Sequence, residues 1–393
     1  MNDLVEWLLL NYGQEQVLPG TGLERTREAV IDLIPSLQKS RIITICGTNG
    51  KGETTLRLSS LLKNHTHTVW TSPHILRLTE RFRNERGEIS EEELKILIGG
   101  CHEKVKTRGL KLSFYEFLFF VFCTWTVKEA PEFILLEVGL GGRLDSVNVL
   151  DAELVLLPSI SRDHQEFLGN RYELILKEKL GVLRKDSMLI HFLELRYLEE
   201  KAQSFVSAIG AKVRSLESEC HIPAFDFSRR NEVLASAAYA FLLNTSLDLP
   251  RGKAPMSLEH RGEVVSAKNE YIFFGSHNVD GLRKLIQFLQ SANYNFSRPP
   301  YDLVIVAFSR RNTGDLKVMM RMLKKGNLGK VVVTSFNHPK ALARDLAEVL
   351  SSEEGLEFVQ DIESYLEERD YHQRCLVTGS YYFLGSFKSI LRG

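Results

Sequence analysis

The sequence of 393 residues is poor in cysteine, has no excess charge of either sign and contains no long hydrophobic run. Its five cysteines are scattered without a C-x-x-C pair, which argues against a disulfide framework or a zinc site and favours reduced, buried thiols in a cytoplasmic protein. Lys plus Arg and Asp plus Glu both number 50, so the net charge predicts neither a nucleic-acid partner nor an anionic membrane surface. Any anionic ligand therefore needs a local site.

The longest apolar run, FLFFVFCTWTV at 117–127, is too short to cross a bilayer. It is flanked by Glu116 and Lys128, so we expect a buried helix there and no membrane anchor. The N-terminal segment has no basic leader and no small-residue cleavage site, and we expect no signal peptide. These absences predict a cytoplasmic protein with no membrane partner. A monomer is expected.

Short β-branched runs alternate with helical patterns in the first half of the chain. Helices are expected after Lys51 and from Ser90. The strand-like runs are RIITIC (41–46), TVWTS (68–72), EFILLEVG (132–139) and ELVLLPSI (153–160). This alternation is typical of βαβ units. It predicts an α/β fold whose N-terminal, P-loop-type domain has a mostly parallel sheet with helices on both faces.

A second, smaller α/β domain is predicted after a linker. Residues 244–258, NTSLDLPRGKAPMSL, are rich in turn-forming residues and lack periodicity, which places a boundary near residue 258. Beyond it the strand-like runs are YIFFGS (271–276), DLVIVAF (302–308), KVVVTSF (330–336), EFVQDI (357–362) and RCLVTGS (374–380). We therefore predict a first domain at 1–258 and a Rossmann-like second domain at 259–393, with a cleft between them as the expected place for an enzyme site.

The strand RIITIC leads directly into the glycine-rich segment GTNGKGETT, in which Lys51 stands just before a predicted helix. The backbone N–H groups of such a turn and the positive end of the helix can hold phosphate groups. Lys51 would neutralise the β- and γ-phosphate oxygens of a nucleotide. The loop residues predicted to bind it are Gly47, Thr48, Asn49, Gly50, Lys51, Gly52 and Thr54.

This loop departs from a standard phosphate loop at one position. A Ser or Thr hydroxyl that ligates Mg²⁺ normally follows the lysine directly, whereas this loop continues with Gly52, Glu53 and Thr54. Three arrangements stay open. Glu53 itself binds the metal, Thr54 reaches the metal after a local shift, or the Glu53 carboxylate faces solvent and the metal depends on other groups.

Acidic side chains follow two of the predicted strands. Glu137 ends EFILLEVG at the sheet edge where ligands bind in such folds. An unpaired acid is unfavourable there, so we expect Mg²⁺ ligation, with an ion pair to Arg143 as the alternative. In the GLGGRLD segment that follows, Arg143 and Asp145 are expected to pair and shape the loop. Asp163 and His164 follow ELVLLPSI at the same edge.

The segment G-T-N-G-K-G resembles the opening motif of the folylpolyglutamate synthase/dihydrofolate synthase family, a branch of the Mur-ligase superfamily. In that family Gly and then Ser follow the lysine, so Glu53 is a departure. Four further motifs are similar to the family in the same order. They are TSPHILRLTER (71–81), SFYEFLFFVF (113–122), EVGLGGRLDSVN (137–148) and SRDHQEFLG…KEKLGV (161–182). Together the five motifs cover most of the first domain.

The resemblance is thinner towards the second domain, where it departs from the family pattern once more. The similar residues are Asn231, Arg261, Glu263, His277 and Asn278, followed by the closing VTGSYYFLG. The family's D-G-A-H-N is F-G-S-H-N here, which places Phe274 where an aspartate that contacts the nucleotide is expected.

The resemblance also implies roles for individual residues. His164 would be a second-metal ligand, although imidazole is an unusual partner for Mg²⁺. Lys179 corresponds to a lysine that CO₂ can carbamylate into an anionic metal ligand; without the resemblance it would be interpreted as a solvated helix lysine. Asn231, Arg261 and His277 would bind the nucleotide, the last two when the domains close. The implied substrate-binding residues are Ser72, Pro73, His74, Arg81, Phe114 and Glu116.

By this resemblance the chain is expected to be an ATP- and Mg²⁺-dependent ligase that joins L-glutamate to a folate or to dihydropteroate through an acyl phosphate. A peptidoglycan-precursor ligase of the same superfamily is disfavoured, because those enzymes carry an extra N-terminal domain and the phosphate loop begins here at Gly47. The alternative from another class is a degenerate ATP-binding protein with a regulatory or binding role, in which Glu53 and Phe274 mark a lost site.

Overall fold

The computed structural model describes residues 2–13, 22–163, 165–247, 261–291, 299–368 and 373–391. They form two compact units, one made of Met1–Ile222 with Ser228–Lys253 and the other of Pro223–Phe227 with Ala254–Gly393. Each unit is built on a mostly parallel sheet with helices, so the predicted α/β class is confirmed. The predicted boundary near residue 258 lies outside the described residues and stays a prediction.

The sheet of the first unit has the strand order β4-β3-β2-β5-β1-β6-β7-β8. Its strands are β1 Arg41–Ile45, β2 His67–Trp70, β3 Phe82–Asn84, β4 Gly87–Glu88, β5 Phe133–Glu137, β6 Leu154–Leu157, β7 Met188–His191 and β8 Lys212–Ser215. The strands from β2 to β8 in this order run parallel, whereas β3 and β4 form an antiparallel edge. The carboxyl ends of β1, β5 and β6 therefore meet at one sheet edge.

Helices cover both faces of this sheet, as predicted. They are α1 Asn2–Tyr12, α2 Gly22–Val30, α3 Ile34–Leu37, α4 Lys51–Leu61, α5 Glu91–Thr107, α6 Phe114–Glu129, α7 Gln165–Leu168, α8 Tyr172–Leu180, α9 Arg196–Ile209, α10 Leu216–Cys220 and α11 Phe227–Leu242. Alternate residues of β5 enter different cores: Leu136 packs with α6 on one face and Leu135 packs with α4 and α11 on the other. Burial on both faces explains why β5 is a continuous apolar run.

The apolar run at 117–127 lies within α6, a buried helix, as expected. Ser113 caps it by accepting a hydrogen bond from the Glu116 backbone N–H, and the Glu116 carboxylate accepts one from the Ser113 N–H. No described helix combines the length and the apolar character that a bilayer crossing requires. All five cysteines are free thiols; four are buried and Cys220 is partly exposed.

The second unit repeats this architecture on a sheet with the order β13-β12-β11-β14-β10-β9. Its strands are β9 Arg261–Ser266, β10 Glu270–Phe274, β11 Leu303–Ala307, β12 Lys330–Thr334, β13 Glu357–Val359 and β14 Arg374–Gly379. Its helices are α12 Val279–Ser291, α13 Thr313–Lys325, α14 Arg344–Glu353, α15 Ile362–Glu367 and α16 Tyr381–Ile390. Only the pairing of β9 with β10 is antiparallel among the described strands of this sheet.

Candidate active site

The glycine-rich loop joins the end of β1 to the start of α4, as the sequence predicted. Gly50 has a φ of 89° and lies directly before Lys51, the first residue of the helix. Gly47 has a φ of 141°, and a β-carbon there would lie 3.1 Å from Pro158 Cδ. Both positions therefore favour glycine for backbone reasons, and the turn presents its N–H groups at the positive end of α4.

The loop is fixed to the segment that follows β6. The Thr48 N–H donates to Ser159 O (3.0 Å) and the Asn49 N–H donates to Ser159 Oγ (2.9 Å). Thr48 Oγ1 donates to Ser161 O (3.1 Å), and Asn49 Nδ2 donates to Ser161 Oγ (3.2 Å). Hydrogen bonds to Ser159 and Ser161 thus fix the shape of the loop. Ser159 and Ser161 were not among the predicted site residues, although they follow β6 directly.

Two lysine ammonium groups meet at the carbonyl oxygen of Gly47. Lys51 Nζ donates to Gly47 O (3.2 Å) and Thr48 O (3.1 Å), and Lys179 Nζ donates to Gly47 O (2.7 Å). Lys179 is only 3% exposed, so its interpretation as a solvated lysine is wrong. Burial, and then the charge of Lys51, lower the pKa of Lys179 to about 7. The Lys51 ammonium makes this end of the loop suited to an anion.

Glu137 lies beside the loop at the carboxyl end of β5, where it is paired in register with Ile45 of β1. It is buried, and its Oε2 accepts a hydrogen bond from the Ser72 N–H (3.2 Å). Arg143 is paired with Glu178 instead, at 3.0 Å. Arg143 therefore does not form the alternative ion pair with Glu137.

The expected Arg143–Asp145 pair is also wrong. Asp145 is buried, and its carboxylate accepts hydrogen bonds from the backbone N–H groups of Gly139, Leu140 and Val147 and from the Tyr115 hydroxyl. Burial raises the pKa of Asp145 in spite of these donors. Backbone N–H groups and the Tyr115 hydroxyl, rather than Arg143, therefore satisfy the Asp145 carboxylate.

Two oxygen-bearing side chains of the first unit, Thr54 and Glu137, are candidates for holding a divalent cation. The buried hydroxyl Oγ1 of Thr54, on the first turn of α4, makes no hydrogen bond with the described part of the chain. The Thr54 hydroxyl and the Glu137 carboxylate are each oxygen groups of the kind that Mg²⁺ prefers as ligands. Among the described residues no group of three or more His, Cys, Asp and Glu side chains could hold a metal alone. His164 lies outside the described residues, so its predicted ligation stays a prediction.

Glu53 does not fit a metal ligand. It is 4% exposed, so the alternative that it faces solvent is wrong. Its oxygens accept hydrogen bonds from Arg57 (2.8 Å), Ser228 (3.1 Å) and Asn231 (2.9 Å). A cation at these oxygens would lie against the Arg57 guanidinium, which already neutralises the carboxylate.

The residues predicted to bind substrate divide into two groups, and those on the segment after β2 are linked to one another. Pro73 follows Ser72 through a cis peptide bond. Arg81, fully buried, donates from Nε to His74 Nδ1 (2.8 Å), and its guanidinium lies 5.6 Å from the centre of the Phe114 ring. Ser72, through its N–H, joins this group to Glu137.

Glu116 has structural partners. Its carboxylate is buried, closes the cap of α6 and pairs with Arg25 of α2 at 2.7 Å. Glu80, which was not predicted, organises the same region: it accepts hydrogen bonds from the backbone N–H groups of Ile75, Leu76 and Arg77. Only the E-R pair at 80–81 in TSPHILRLTER signalled it. Substrate contact by Phe114 and Glu116 stays a prediction.

In the second unit, the predicted site residues lie around the carboxyl end of β10. Arg261 is the first residue of β9 and pairs with Phe274; its side chain is outside the described part. The His277 ring lies 5.2 Å from the Tyr381 ring, and Asn278 Oδ1 accepts from the Gly281 N–H at the start of α12. Phe274 itself is buried in the core beneath α12.

The comparisons agree with this architecture. No protein-family model matches the chain. A Bacillus subtilis protein named dihydrofolate synthase/folylpolyglutamate synthase is 26% identical over 415 residues, which cover 94% of this chain and 95% of that protein. The crystal structure of the bifunctional folylpolyglutamate synthase/dihydrofolate synthase from Yersinia pestis with AMPPNP and Mn ion has a TM-score of 0.78 at 22% identity, covering 100% and 98% of the two chains. Escherichia coli FolC in complex with DHPP and ADP has a TM-score of 0.80 at 23% identity, covering 100% and 97%.

Two α/β units, with a glycine-rich loop, paired lysines and a strand-end carboxylate in the first, are typical of P-loop-type nucleotide-binding proteins. The resemblance stated from the motifs is confirmed by relatives and structures of one name that span nearly the whole chain. Over nearly its whole length the chain is similar to proteins named dihydrofolate synthase/folylpolyglutamate synthase.

Proposed function

We propose that this chain is an ATP-dependent ligase that joins L-glutamate to a folate, to dihydropteroate, or to both. The observation that carries the proposal is the meeting of Lys51 and Lys179 at Gly47 O, on a loop whose neighbouring strand ends in Glu137. That arrangement supports binding of a triphosphate next to a carboxylate that can hold Mg²⁺. ATP and a divalent cation are therefore the proposed cofactors.

In the proposed reaction, a carboxylate oxygen of the acceptor attacks the γ-phosphorus of ATP and the bond to the bridging oxygen breaks, giving ADP and an acyl phosphate. The amino group of glutamate then attacks the carbonyl carbon, loses a proton, and inorganic phosphate leaves. Both reacting groups of the first step are anionic. Lys51 and the first N–H groups of α4, at Lys51 and Gly52, would offset that repulsion by holding the phosphate oxygens.

Mg²⁺, when bound, would neutralise phosphate charge, and Glu137 is the residue proposed to hold it, with Thr54 supplying a hydroxyl. Lys179, His164, Arg261 and His277 keep their proposed roles at the nucleotide and metal. Burial lowers the pKa of Lys179 to about 7, which favours the neutral amine that the proposed carbamylation by CO₂ requires. We propose Ser72, Pro73, His74 and Arg81 as the acceptor-binding segment, and a cytoplasmic monomer as the working form.

The degenerate-protein alternative relied on Glu53 and Phe274. Both side chains are buried with matched neighbours, so neither position supports loss of the site. We do not propose Glu53 as a metal ligand, because its carboxylate is already paired with the Arg57 guanidinium.

The test is ADP release by the whole chain with Mg²⁺, ATP, L-glutamate and either dihydropteroate or tetrahydrofolate. Release should require both the acceptor and glutamate. Lys51→Ala should lower kcat/KM by about 10²–10³, the usual effect of removing a group that stabilises the transition state. Lys63→Ala, an exposed lysine beyond the end of α4, is the matched control and should change nothing. Wild-type protein that binds ATP without any acceptor-dependent release would overturn the proposal.

The metal assignment has its own test. Glu137→Gln keeps the shape of the side chain and its acceptor for the Ser72 N–H, but removes the negative charge. The Mg²⁺ concentration needed for half-maximal activity should rise by about tenfold or more, as expected from loss of a charged ligand. An unchanged Mg²⁺ titration would refute Glu137 as the ligand.

A further inference from the structure

Glu53 lies between the phosphate loop and α11, and its two carboxylate oxygens contact different groups. Oε1 accepts hydrogen bonds from Arg57 Nε (3.0 Å) and Ser228 Oγ (3.1 Å). Oε2 accepts one from Asn231 Nδ2 (2.9 Å). An ionised carboxylate offers only acceptors. The Asn231 amide therefore has to turn its NH₂ group towards Glu53.

The opposite end of that amide faces the phosphate loop. A β-carbon added to Gly50 would lie 2.5 Å from Asn231 Oδ1 and 3.0 Å from its Nδ2, so the amide lies against the loop backbone with its oxygen nearest. Gly50 is the residue immediately before Lys51 and caps the start of α4. Asn231 is 3% exposed, which leaves its side chain little freedom to rotate. Its carbonyl oxygen consequently has a defined place beside the proposed nucleotide site.

We propose that Glu53 is a positioning residue that fixes the orientation of Asn231 against the phosphate loop and thereby sets the affinity for nucleotide. A serine at this position has a shorter side chain and can donate as well as accept, so it would not impose one orientation on the amide. The inference rests on the proposed function in one respect, namely that the loop and Asn231 bind ATP.

A purely structural role makes a different prediction. Glu53 and Arg57 form a buried ion pair within α4, and this pair stabilises the fold whether or not nucleotide is present. Arg57→Gln separates the two roles. Glu53 Oε2 still accepts from Asn231 Nδ2, whereas the ion pair within α4 is lost.

The experiment compares AMPPNP affinity, by titration calorimetry, with thermal stability. Glu53→Ser and Arg57→Gln should both lower the melting temperature. Glu53→Ser should raise the Kd for AMPPNP about tenfold, as expected when one oriented hydrogen-bonding group is lost, whereas Arg57→Gln should raise it less than about threefold. Ser228→Ala removes a donor from Oε1 alone and should leave the Kd unchanged.

A double-mutant cycle with Asn231→Ala then tests whether Glu53 acts through Asn231. In that background Glu53→Ser should have no further effect on the Kd, because the amide it orients is absent. Equal weakening in both backgrounds, or wild-type affinity in Glu53→Ser, would overturn the inference. Should Glu53→Ser fail to fold, Glu53→Met, which fills the volume without an acceptor, replaces it. A wild-type chain that binds no AMPPNP would instead contradict the proposed function itself.

Discussion

Glu53 in the first unit and Phe274 in the second depart from the family motifs, and the protein surrounds them with opposite chemistry. The Glu53 carboxylate is buried among polar donors from Arg57, Ser228 and Asn231. Phe274 is buried in an aromatic cluster, with ring centres 6.5 Å from Phe227 and 6.4 Å from Phe288. Phe227 and Phe288 are themselves 5.3 Å apart.

The comparison shows that each departure is accompanied by neighbours that match it. A charged group is retained inside a protein when partners satisfy it, and an aromatic ring when it is packed. An unmatched residue would be expected if either position had simply decayed. We therefore interpret both as adaptations, so that restoring the family residue alone should harm the protein.

The largest expected effect comes from breaking the aromatic side of the comparison. Phe274→Asp should lower the free energy of unfolding of the second unit by about 4 kcal/mol or more, because it removes a packed ring and buries a charge among phenylalanines. Urea unfolding measures it. Val264→Asp on the neighbouring strand β9 is the control: Val264 is 55% exposed and the change should stay within about 0.5 kcal/mol. Equal losses in the two variants would contradict the burial of Phe274.

Breaking the polar side should have a smaller effect. Glu53→Ser should lower the free energy of unfolding by about 2–3 kcal/mol, because Arg57 is left buried without its carboxylate. Adding Arg57→Leu should recover part of the loss, since it removes the uncompensated charge. Glu200→Ser, which breaks the exposed Arg196–Glu200 pair, is the control and should change stability by about 0.5 kcal/mol or less. A double variant less stable than Glu53→Ser would argue against charge as the cause.

The smallest effect sharpens the comparison through pH. The buried Lys179 amine donates to Gly47 O, and the described part of the chain shows no ion pair between this amine and a carboxylate. Its pKa falls from 10.5 to about 7 on folding, so between these values the unfolded chain binds more protons. The stability of wild type relative to Lys179→Met should therefore rise with pH above about 7, by at most ~1.4 kcal/mol per pH unit.

Unfolding of nucleotide-free protein between about pH 7 and pH 9 measures this slope. Lys177→Met, an exposed neighbour on α8, should follow wild type at every pH. A difference between wild type and Lys179→Met that does not change with pH would mean that the Lys179 amine has the same pKa in both states.

Much of the fold could be predicted because each central strand is a continuous apolar run in the sequence. The apolar runs of β1, β5, β6, β11 and β14 are buried on both faces and were all predicted. Strands β3, β4, β7, β8 and β9 were missed. FRN, GE and KVRS are short, polar and only partly buried, whereas MLIH of β7 is a buried run of only four residues. Pairing to neighbours, which the sequence does not display, makes them strands.

In the candidate site, too, features formed by neighbouring residues could be predicted and contacts between distant residues could not. The phosphate loop was predictable, because its glycines, Lys51 and the following helix are adjacent in sequence. The partners of Glu53 were not, because Ser228 and Asn231 lie 175 and 178 residues further along the chain. For the same reason the burial of Lys179 against Gly47, 132 residues away, was visible only in the fold.

The most direct measurement is ADP release dependent on a pterin-bearing acceptor and L-glutamate, compared between wild type, Glu53→Ser and Phe274→Asp. If both departures are adaptations of a working ligase, wild type turns over and each reversion is slower. A wild type that binds ATP without turnover, or a reversion that is faster than wild type, would contradict this.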